Sequence, residues 1–228
     1  KIRCVPTSYI LKLKEFWGLN FKVNSHILIP RPETEVIISV IKKKFNSNTS
    51  FSILDLGTGS GCILLSILNE FPKAFGIGID ITSQIIKIAR YNAKKNFLSK
   101  RSFFVQKDWN LKNSFHQLSV LNQKLYKKKK FDLIVSNPPY IPKKEIKNLM
   151  QEVKYEPRVA LDGGYDGLQA YKNIFFKIKS VLSKDGSIYF EINPSSFENI
   201  KQILQKAGFR KITFINDLSN KKRVVVAK

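Results

Sequence analysis

The sequence predicts an α/β protein with a mostly parallel, doubly wound sheet, an antiparallel C-terminal strand, and a β-hairpin in front of the sheet. From Phe51 onward, apolar runs of strand length alternate with segments of helical periodicity, and the connections between them are short. Repeated β-α units of this kind form a parallel sheet with helices on both faces. The 228 residues, 43% of them hydrophobic, suffice for one large domain.

The segment before the sheet is predicted to hold a hairpin and one helix. Apolar and polar residues alternate on both sides of Gly18, which predicts a β-hairpin over Tyr9–Asn24. Pro32 suits the first turn of a helix, and two glutamates follow it where the helix dipole favours carboxylates. The apolar spacing continues this helix to about Phe45.

The rest of the chain is divided into strands and helices by its hydrophobic pattern. The predicted strands are FSILDLG, AFGIGID, SFFVQKD, FDLIVSN, GSIYFEIN and an antiparallel final pair, KITFIND and RVVVAK. The predicted helices are GCILLSILNEF, TSQIIKIARYNAKKN, LQAYKNIFFKIKSVL and SFENIKQILQKAGF. Thr82 or Ser83 is expected to cap the second of these helices, and Gly208 to end the last one.

The net charge of +23 has two interpretations. A basic surface suits a nucleic-acid or ribosomal partner. Lysine, isoleucine, asparagine and phenylalanine are abundant throughout, which also indicates a compositional bias, and the run Lys127–Lys130 suits a solvated loop. We favour the second interpretation, so nucleic acid is not required, and a weak RNA or ribosome contact stays open.

The compartment is predicted to be cytoplasmic. No apolar run approaches the roughly 20 residues of a membrane span, and the N-terminal residues do not resemble a signal peptide. Cys4 and Cys62, without metal-ligand spacing, fit a reducing compartment and predict no metal site. Because the only methionine is Met150, we expect the chain to be part of a longer one.

A small-molecule site is predicted at the carboxyl ends of the strands, where open α/β sheets bind ligands. Gly57, Gly59 and Gly61 follow the first strand, but Cys62 replaces the glycine of a dinucleotide fingerprint, and no phosphate-loop lysine follows. Such a turn allows close backbone approach without a pyrophosphate. Asp80, at the end of the second strand, is placed to accept hydrogen bonds from ribose hydroxyls.

The third strand ends in Asp108 and Trp109, which could bind and stack on an adenine. Each feature has a structural alternative: glycine turns are common, Asp80 could cap a helix, and Trp109 could belong to the core. Together, at successive strand ends, they favour S-adenosylmethionine, which carries ribose, adenine, an amino-acid end and a sulfonium.

The fourth strand ends in Asn137-Pro138-Pro139-Tyr140. Two prolines remove two backbone donors and fix two φ angles, and a residue before proline is held extended. The result is a rigid corner whose acceptors are the Asn137 side-chain oxygen and the Pro138 carbonyl. Such a corner suits a ligand that brings two donors, for example a planar –NH2 group.

Four segments together resemble the HemK/PrmC-type glutamine methyltransferases that modify peptide chain release factors: LIPRPETE, DLGTGSGC, SNPPYI and EPRVALDGGYDGL. NPPY alone is shared with methyltransferases of adenine in DNA and guanine in RNA, whereas IPRPETE is more specific. The resemblance covers essentially the whole chain. It implies a Rossmann-like class I S-adenosylmethionine-dependent methyltransferase fold over 27–228, with 1–26 as a hairpin linker to an N-terminal helical domain that precedes this chain.

The resemblance also implies roles for individual residues. The substrate would be the glutamine of the Gly-Gly-Gln motif in class 1 release factors, held by Asn137, Pro138, Pro139 and Tyr140. Asn137, Pro138 and Tyr140 would be catalytic. The cofactor-binding residues would be Arg31, Gly57, Thr58, Gly59, Ser60, Gly61, Asp80, Asp108, Trp109 and Asn137.

No general base stands out, because His26 and His116 lie outside these motifs and are expected at the surface. Catalysis would then rest on positioning and electrostatics. Two other functions are considered. A methyltransferase acting on an exocyclic amine of adenine or guanine would use the same corner, but the sequence offers no separate target-recognition domain. A non-catalytic cofactor-binding protein would not need both the glycine turn and the Asn-Pro-Pro-Tyr corner intact.

Overall fold

A computed structural model, which describes residues 4–228, contains a two-stranded hairpin and a seven-stranded sheet. The strands are β1 (Leu13–Phe16), β2 (Leu19–Lys22), β3 (Ser52–Leu56), β4 (Phe75–Asp80), β5 (Ser102–Gln106), β6 (Phe131–Ser136), β7 (Leu182–Glu191), β8 (Ile212–Asn216) and β9 (Lys222–Ala227). The large sheet has the order β5-β4-β3-β6-β7-β9-β8, with β9 antiparallel to both β7 and β8 and the other neighbours parallel. The predicted fold class, including the antiparallel C-terminal strands, is confirmed.

Helices cover both faces of this sheet. They are α1 (Thr7–Leu11), α2 (Glu35–Lys44), α3 (Cys62–Glu70), α4 (Ser83–Lys95), α5 (Ser114–Tyr126), α6 (Gln169–Ile178) and α7 (Phe197–Lys206). One hydrophobic cluster joins α2, α3 and α4 to one face, and a second joins α5, α6 and α7 to the other. Because both faces are covered, every residue of β3 is buried, and its sequence shows no polar alternation.

Two predicted helix ends are confirmed by their hydrogen bonds. The Thr82 side chain accepts a hydrogen bond from the Ile85 N–H at the start of α4, so Thr82 is the N-cap. After α7, Gly208 has a φ of 84° and donates its N–H to the Gln205 carbonyl at 2.9 Å. This left-handed glycine ends α7 as the sequence predicts.

The N-terminal hairpin is shorter than predicted. The prediction began at Tyr9, but Thr7–Leu11 forms α1 and only the following eleven residues contain β1, the turn and β2. Lys12, in the left-handed conformation at the end of α1, turns the chain into the hairpin. Phe16 and Phe21 pack into the cluster of α2 and α3, so the hairpin lies on the main domain. The linker role of 1–26 stays a prediction.

Two further secondary-structure predictions were wrong, since one helix was missed and the end of another was misplaced. The sequence pattern missed α5, because two of its four buried residues, Ser114 and Asn122, are polar and weaken the apolar helical period. The prediction also carried α6 through to Leu182. Instead, α6 ends at Ile178, and Leu182 pairs with Phe131 as the first residue of β7.

Neither a membrane span nor a metal cluster is found within 4–228. None of the helices in that range is long and apolar enough to cross a membrane. No group of three or more His, Cys, Asp or Glu side chains there is placed to hold a metal ion. Cys62 is buried at the start of α3, and burial raises the pKa of its thiol to about 12, so it remains a packed, protonated group.

Candidate active site

A cavity of about 420 Å³ lies at the carboxyl edge of the parallel strands. Its size is within the range of small-molecule sites. The predicted site residues that line it are Gly57, Gly59, Asp80, Asp108, Trp109, Asn137 and Pro139. Four parallel strands therefore bring the glycine turn, both aspartates and the proline corner to one cavity.

The glycine turn between β3 and α3 is held in place by buried carboxylates. Gly59 donates its N–H to Asp80 Oδ2 at 2.9 Å, and the Thr58 hydroxyl donates to Asp55 Oδ2 at 2.6 Å. Burial raises the pKa of Asp55 to about 7, with the Thr58 hydrogen bond acting in the opposite direction. Thr58, Ser60 and Gly61 are not among the residues that line the cavity, so their cofactor contacts stay a prediction.

Asp80 and Trp109 each contact a glycine of this turn. Asp80 is 8% exposed and accepts a second backbone hydrogen bond from the Ile81 N–H at 2.8 Å. Burial raises the pKa of Asp80, and the two N–H donors partly offset that rise. The Trp109 ring lies against Gly57, where an added Cβ would come within 3.2 Å of the indole. A larger residue at position 57 would therefore displace the ring.

Asp108 lines the same cavity as Trp109. Its Oδ1 accepts the Asn110 N–H at 2.7 Å, and its carbonyl accepts the Ser114 hydroxyl at 2.6 Å. These bonds tie the turn after β5 to the first residue of α5. The missed helix thus helps to fix Asp108, a residue of the predicted cofactor site.

The proline corner is held by side chains from distant parts of the chain. Asn137 Nδ2 donates to the Thr34 hydroxyl oxygen at 3.1 Å, and the Tyr140 hydroxyl donates to Glu191 Oε1 at 3.1 Å. Burial, and next the Glu191 carboxylate, raise the pKa of Tyr140, so its phenol stays protonated. Pro138 is buried, and neither it nor Tyr140 lines the cavity.

A loop after the corner, residues 156–168, covers it closely. Ile141 donates its N–H to the Leu161 carbonyl at 3.0 Å, and Gly163 donates to the Ile141 carbonyl at 2.9 Å. A Cβ added at Gly167 would lie 2.5 Å from the Tyr140 carbonyl oxygen. Gly163 and Gly167 therefore permit backbone-to-backbone packing against Tyr140.

Arg31 lies at the outer side of the site. Its guanidinium forms an ion pair with Glu156, whose carboxylate also accepts the Ile29 N–H at 3.1 Å. Glu156 is 5% exposed, so this pair joins the IPRPETE segment to the loop 156–168. Arg31 is not among the cavity-lining residues, and its contact with a cofactor stays a prediction.

The sequence-based site omitted Thr34, Glu156 and Glu191. The signals in the sequence that could have indicated them are their positions within LIPRPETE and EPRVALDGGYDGL or at the end of a strand. The residues to which they bond are more than 50 positions away in the chain, so no local pattern connects them. His26 is exposed as expected but reaches the cavity, together with Leu28. His116 is exposed on α5 and is not among the residues lining the cavity.

Comparison with known proteins agrees with this geometry. A family described as "Methyltransferase domain" matches residues 47–192. The "Release factor glutamine methyltransferase" of Caulobacter vibrioides is 40% identical over 99% of this chain and 74% of its own length, and that of Coxiella burnetii is 37% identical over 100% and 76%.

Among solved structures, the hMettl16 catalytic domain in complex with the MAT2A 3′UTR hairpin 6 has a TM-score of 0.69 at 17% identity, over 93% of this chain and 76% of that one. At that identity the likeness establishes the methyltransferase fold alone. The match to the curated relatives extends over nearly the whole chain. The chain therefore belongs to the family of release factor glutamine methyltransferases.

Proposed function

We propose that this chain methylates the side-chain amide nitrogen of the glutamine in the Gly-Gly-Gln motif of class 1 peptide chain release factors. Membership in the family supports the substrate class. The observation that carries the chemistry is the orientation of Asn137, whose Nδ2 donates to Thr34 and whose Oδ1 therefore remains to accept a ligand N–H. Because release factors act in translation, the proposed compartment is the cytoplasm.

S-adenosylmethionine is the proposed cofactor, and the cavity suits it. The side-chain-free edge at Gly57 faces an aromatic ring, Trp109, against which a base could stack. Each Asp80 oxygen accepts one backbone N–H and keeps a further lone pair for a ribose hydroxyl. Asp108 Oδ2 is available for an amino group of the base. When bound, S-adenosylmethionine supplies an electrophilic methyl group on its sulfonium.

The residues of the corner hold the substrate amide. Asn137 Oδ1 and the Pro138 carbonyl accept the two amide hydrogens, because the prolines supply no competing N–H. With both hydrogens so directed, the π electrons of the nitrogen remain accessible above the amide plane. The same acceptors stabilise positive charge that develops on the nitrogen as the N–C bond forms.

Proton loss follows methyl transfer. Tyr140 is protonated and donates to Glu191, and the Glu191 carboxylate is occupied by Tyr140 and Thr34, so neither acts as the base. The methylated nitrogen has become acidic, and solvent can take its proton. Positioning, and not a dedicated base, is therefore the proposed source of the rate.

The test is transfer of a labelled methyl group from S-adenosylmethionine to three substrates in parallel. They are a purified class 1 release factor, the same factor with its Gly-Gly-Gln glutamine changed to alanine, and a mixture of unmodified DNA and ribosomal RNA. We expect label in the intact factor only.

The control substrates separate the other outcomes. Equal label in the alanine factor would place the methyl group on another residue and refute the proposed target atom. Label in nucleic acid in place of the factor would refute the substrate class and support an amine methyltransferase of adenine or guanine.

A further inference from the structure

The side chain of Asn137 is one member of a buried chain of hydrogen bonds. Thr34, in the short 3-10 helix Pro32–Thr34, is 2% exposed. Its hydroxyl oxygen makes two contacts, one with Glu191 Oε2 and one with Asn137 Nδ2 at 3.1 Å. The three residues come from three separate parts of the chain and converge beside the cavity.

With Glu191 ionised, the order of donors and acceptors in this chain has one consistent solution. An ionised carboxylate only accepts hydrogen bonds, so the single hydroxyl proton of Thr34 must be donated to Glu191. The Thr34 oxygen can then only accept from Asn137. Asn137 must turn its –NH2 group towards Thr34, and its Oδ1 faces away from it. A flipped amide would place two acceptor oxygens in contact.

Glu191 is suited to impose this order. It is 1% exposed at the end of β7, and its second oxygen accepts the Tyr140 hydroxyl at 3.1 Å. Burial raises the pKa of Glu191, while the Thr34 hydrogen bond, the positive charge of Arg223 and the Tyr140 hydrogen bond favour the ionised form; the charge of Glu33 opposes it. The Tyr171 hydroxyl donates to the Glu191 carbonyl at 2.8 Å and fixes the backbone.

We propose that Thr34 and Glu191 are positioning residues that lock the Asn137 amide with its Oδ1 towards the cavity. The inference rests on the proposed function, in which that oxygen accepts an amide hydrogen of glutamine. Without this hydrogen-bonded chain, the Asn137 side-chain amide could rotate and turn its –NH2 group towards the substrate. The –NH2 groups of Asn137 and of the glutamine would then face each other, and neither can accept a hydrogen bond. Neither residue needs to touch the substrate for this effect.

The first test compares Thr34→Val with Thr34→Ser. Valine keeps the shape of threonine but removes the hydroxyl, whereas serine keeps the hydroxyl. We expect Thr34→Val to lower kcat about tenfold, with KM for the release factor and Kd for S-adenosylmethionine within about twofold of the parent. Thr34→Ser should retain kcat within about threefold. Equal loss in both variants would overturn the proposal.

A double-mutant cycle separates positioning from general damage. If Thr34 acts through Asn137, adding Thr34→Val to Asn137→Ala should change kcat less than about twofold. Single-turnover measurements of labelled methyl transfer can still detect the slow reaction of the Asn137→Ala variant. A further tenfold loss in the Asn137→Ala background would show that Thr34 acts independently, and would overturn the proposal.

A spectroscopic measurement tests the same lock without any activity. The side-chain 15N–1H signals of Asn137 are assigned by their disappearance in Asn137→Ala. We expect Thr34→Val and Glu191→Gln to shift these signals, and Thr34→Ser to leave them near their parental positions. Unmoved signals in Thr34→Val would overturn the lock, whatever the substrate proves to be. Failure of the parent to label a release factor would instead refute the proposed function.

Discussion

The cavity has two halves that are built differently. The glycine-loop half comprises residues 55–61, Asp80 and 108–109, and the side-chain hydrogen bonds between these residues join positions at most 21 apart in the chain. The proline-corner half comprises 29–34, 137–140, Glu156 and Glu191. The side-chain hydrogen bonds between these residues join positions 51 to 157 apart.

The geometry of the two halves therefore depends on different parts of the fold. Backbone N–H groups and glycine conformations largely set the glycine-loop half, so its geometry follows once β3, β4 and β5 pair. In the proline-corner half, buried side chains must find one another across four segments, so its geometry depends on the whole fold. Substitutions there are expected to disturb turnover and stability together, whereas those in the glycine-loop half should mainly change cofactor affinity.

The largest expected effect is the loss of the Asn137 side chain. Asn137→Ala removes one of two acceptors for the amide hydrogens, and we expect kcat to fall about a hundredfold or more with nearly unchanged cofactor Kd. Steady-state kinetics with calorimetry of cofactor binding measures both. Asn193→Ala is the matched control, because Asn193 also follows a strand end, but its side chain accepts hydrogen bonds from Ser195, its near neighbour in the chain. If Asn137→Ala lowered cofactor affinity and turnover equally, the separate roles assigned to the two halves would be wrong.

Close packing on the corner is tested with two glycines of similar φ. Gly167 and Gly18 have φ values of 75° and 70°, so alanine is strained at either position. A Cβ at Gly167 would also clash with the Tyr140 carbonyl oxygen, whereas nothing lies within 4 Å of one at Gly18. We expect Gly167→Ala to lower the free energy of unfolding by about 2 kcal/mol more than Gly18→Ala.

Urea unfolding of both variants provides that comparison, and turnover should fall only in Gly167→Ala. Similar stabilities would mean that the loop 156–168 yields easily, and that the corner is less rigid than its contacts indicate.

The glycine-loop half is tested at Asp80. Asp80→Ala removes the acceptor for a ribose hydroxyl and for the Gly59 N–H, and we expect the cofactor Kd to rise about tenfold. The kcat at saturating cofactor should stay within about threefold of the parent. Asp185→Ala, an exposed aspartate within β7, controls for the loss of a charge. Unchanged affinity in calorimetry would refute the assignment of Asp80.

The two halves also differed in how far the sequence predicted them. Gly57, Asp80 and Asp108 follow apolar strands directly, so the strand ends alone brought them to one edge. Thr34 and Glu156 follow no such rule, because their partners are set by how the chain returns to the sheet. The helical period likewise revealed α4, whose six buried residues repeat regularly, and missed α5, whose core contacts are few.

The smallest expected effect concerns the ion pair between Arg31 and Glu156, two side chains that differ in burial. The Arg31 side chain is 33% exposed, so water can solvate its charge after Glu156 is removed, whereas Glu156 is nearly inaccessible. Glu156→Ala also leaves the buried Ile29 N–H without its acceptor. Arg31→Ala, in turn, leaves the Glu156 carboxylate without its cation but keeps the acceptor for the Ile29 N–H.

We therefore expect Glu156→Ala to lower the free energy of unfolding by about 1 kcal/mol more than Arg31→Ala near neutral pH. Glu156→Gln, which keeps an acceptor for Ile29, should lie between them. Urea unfolding of the three variants measures the order. If Arg31→Ala proved the most destabilising, the ion pair would outweigh the backbone hydrogen bond in joining IPRPETE to the loop 156–168, and charge pairing would be what holds the proline-corner half closed.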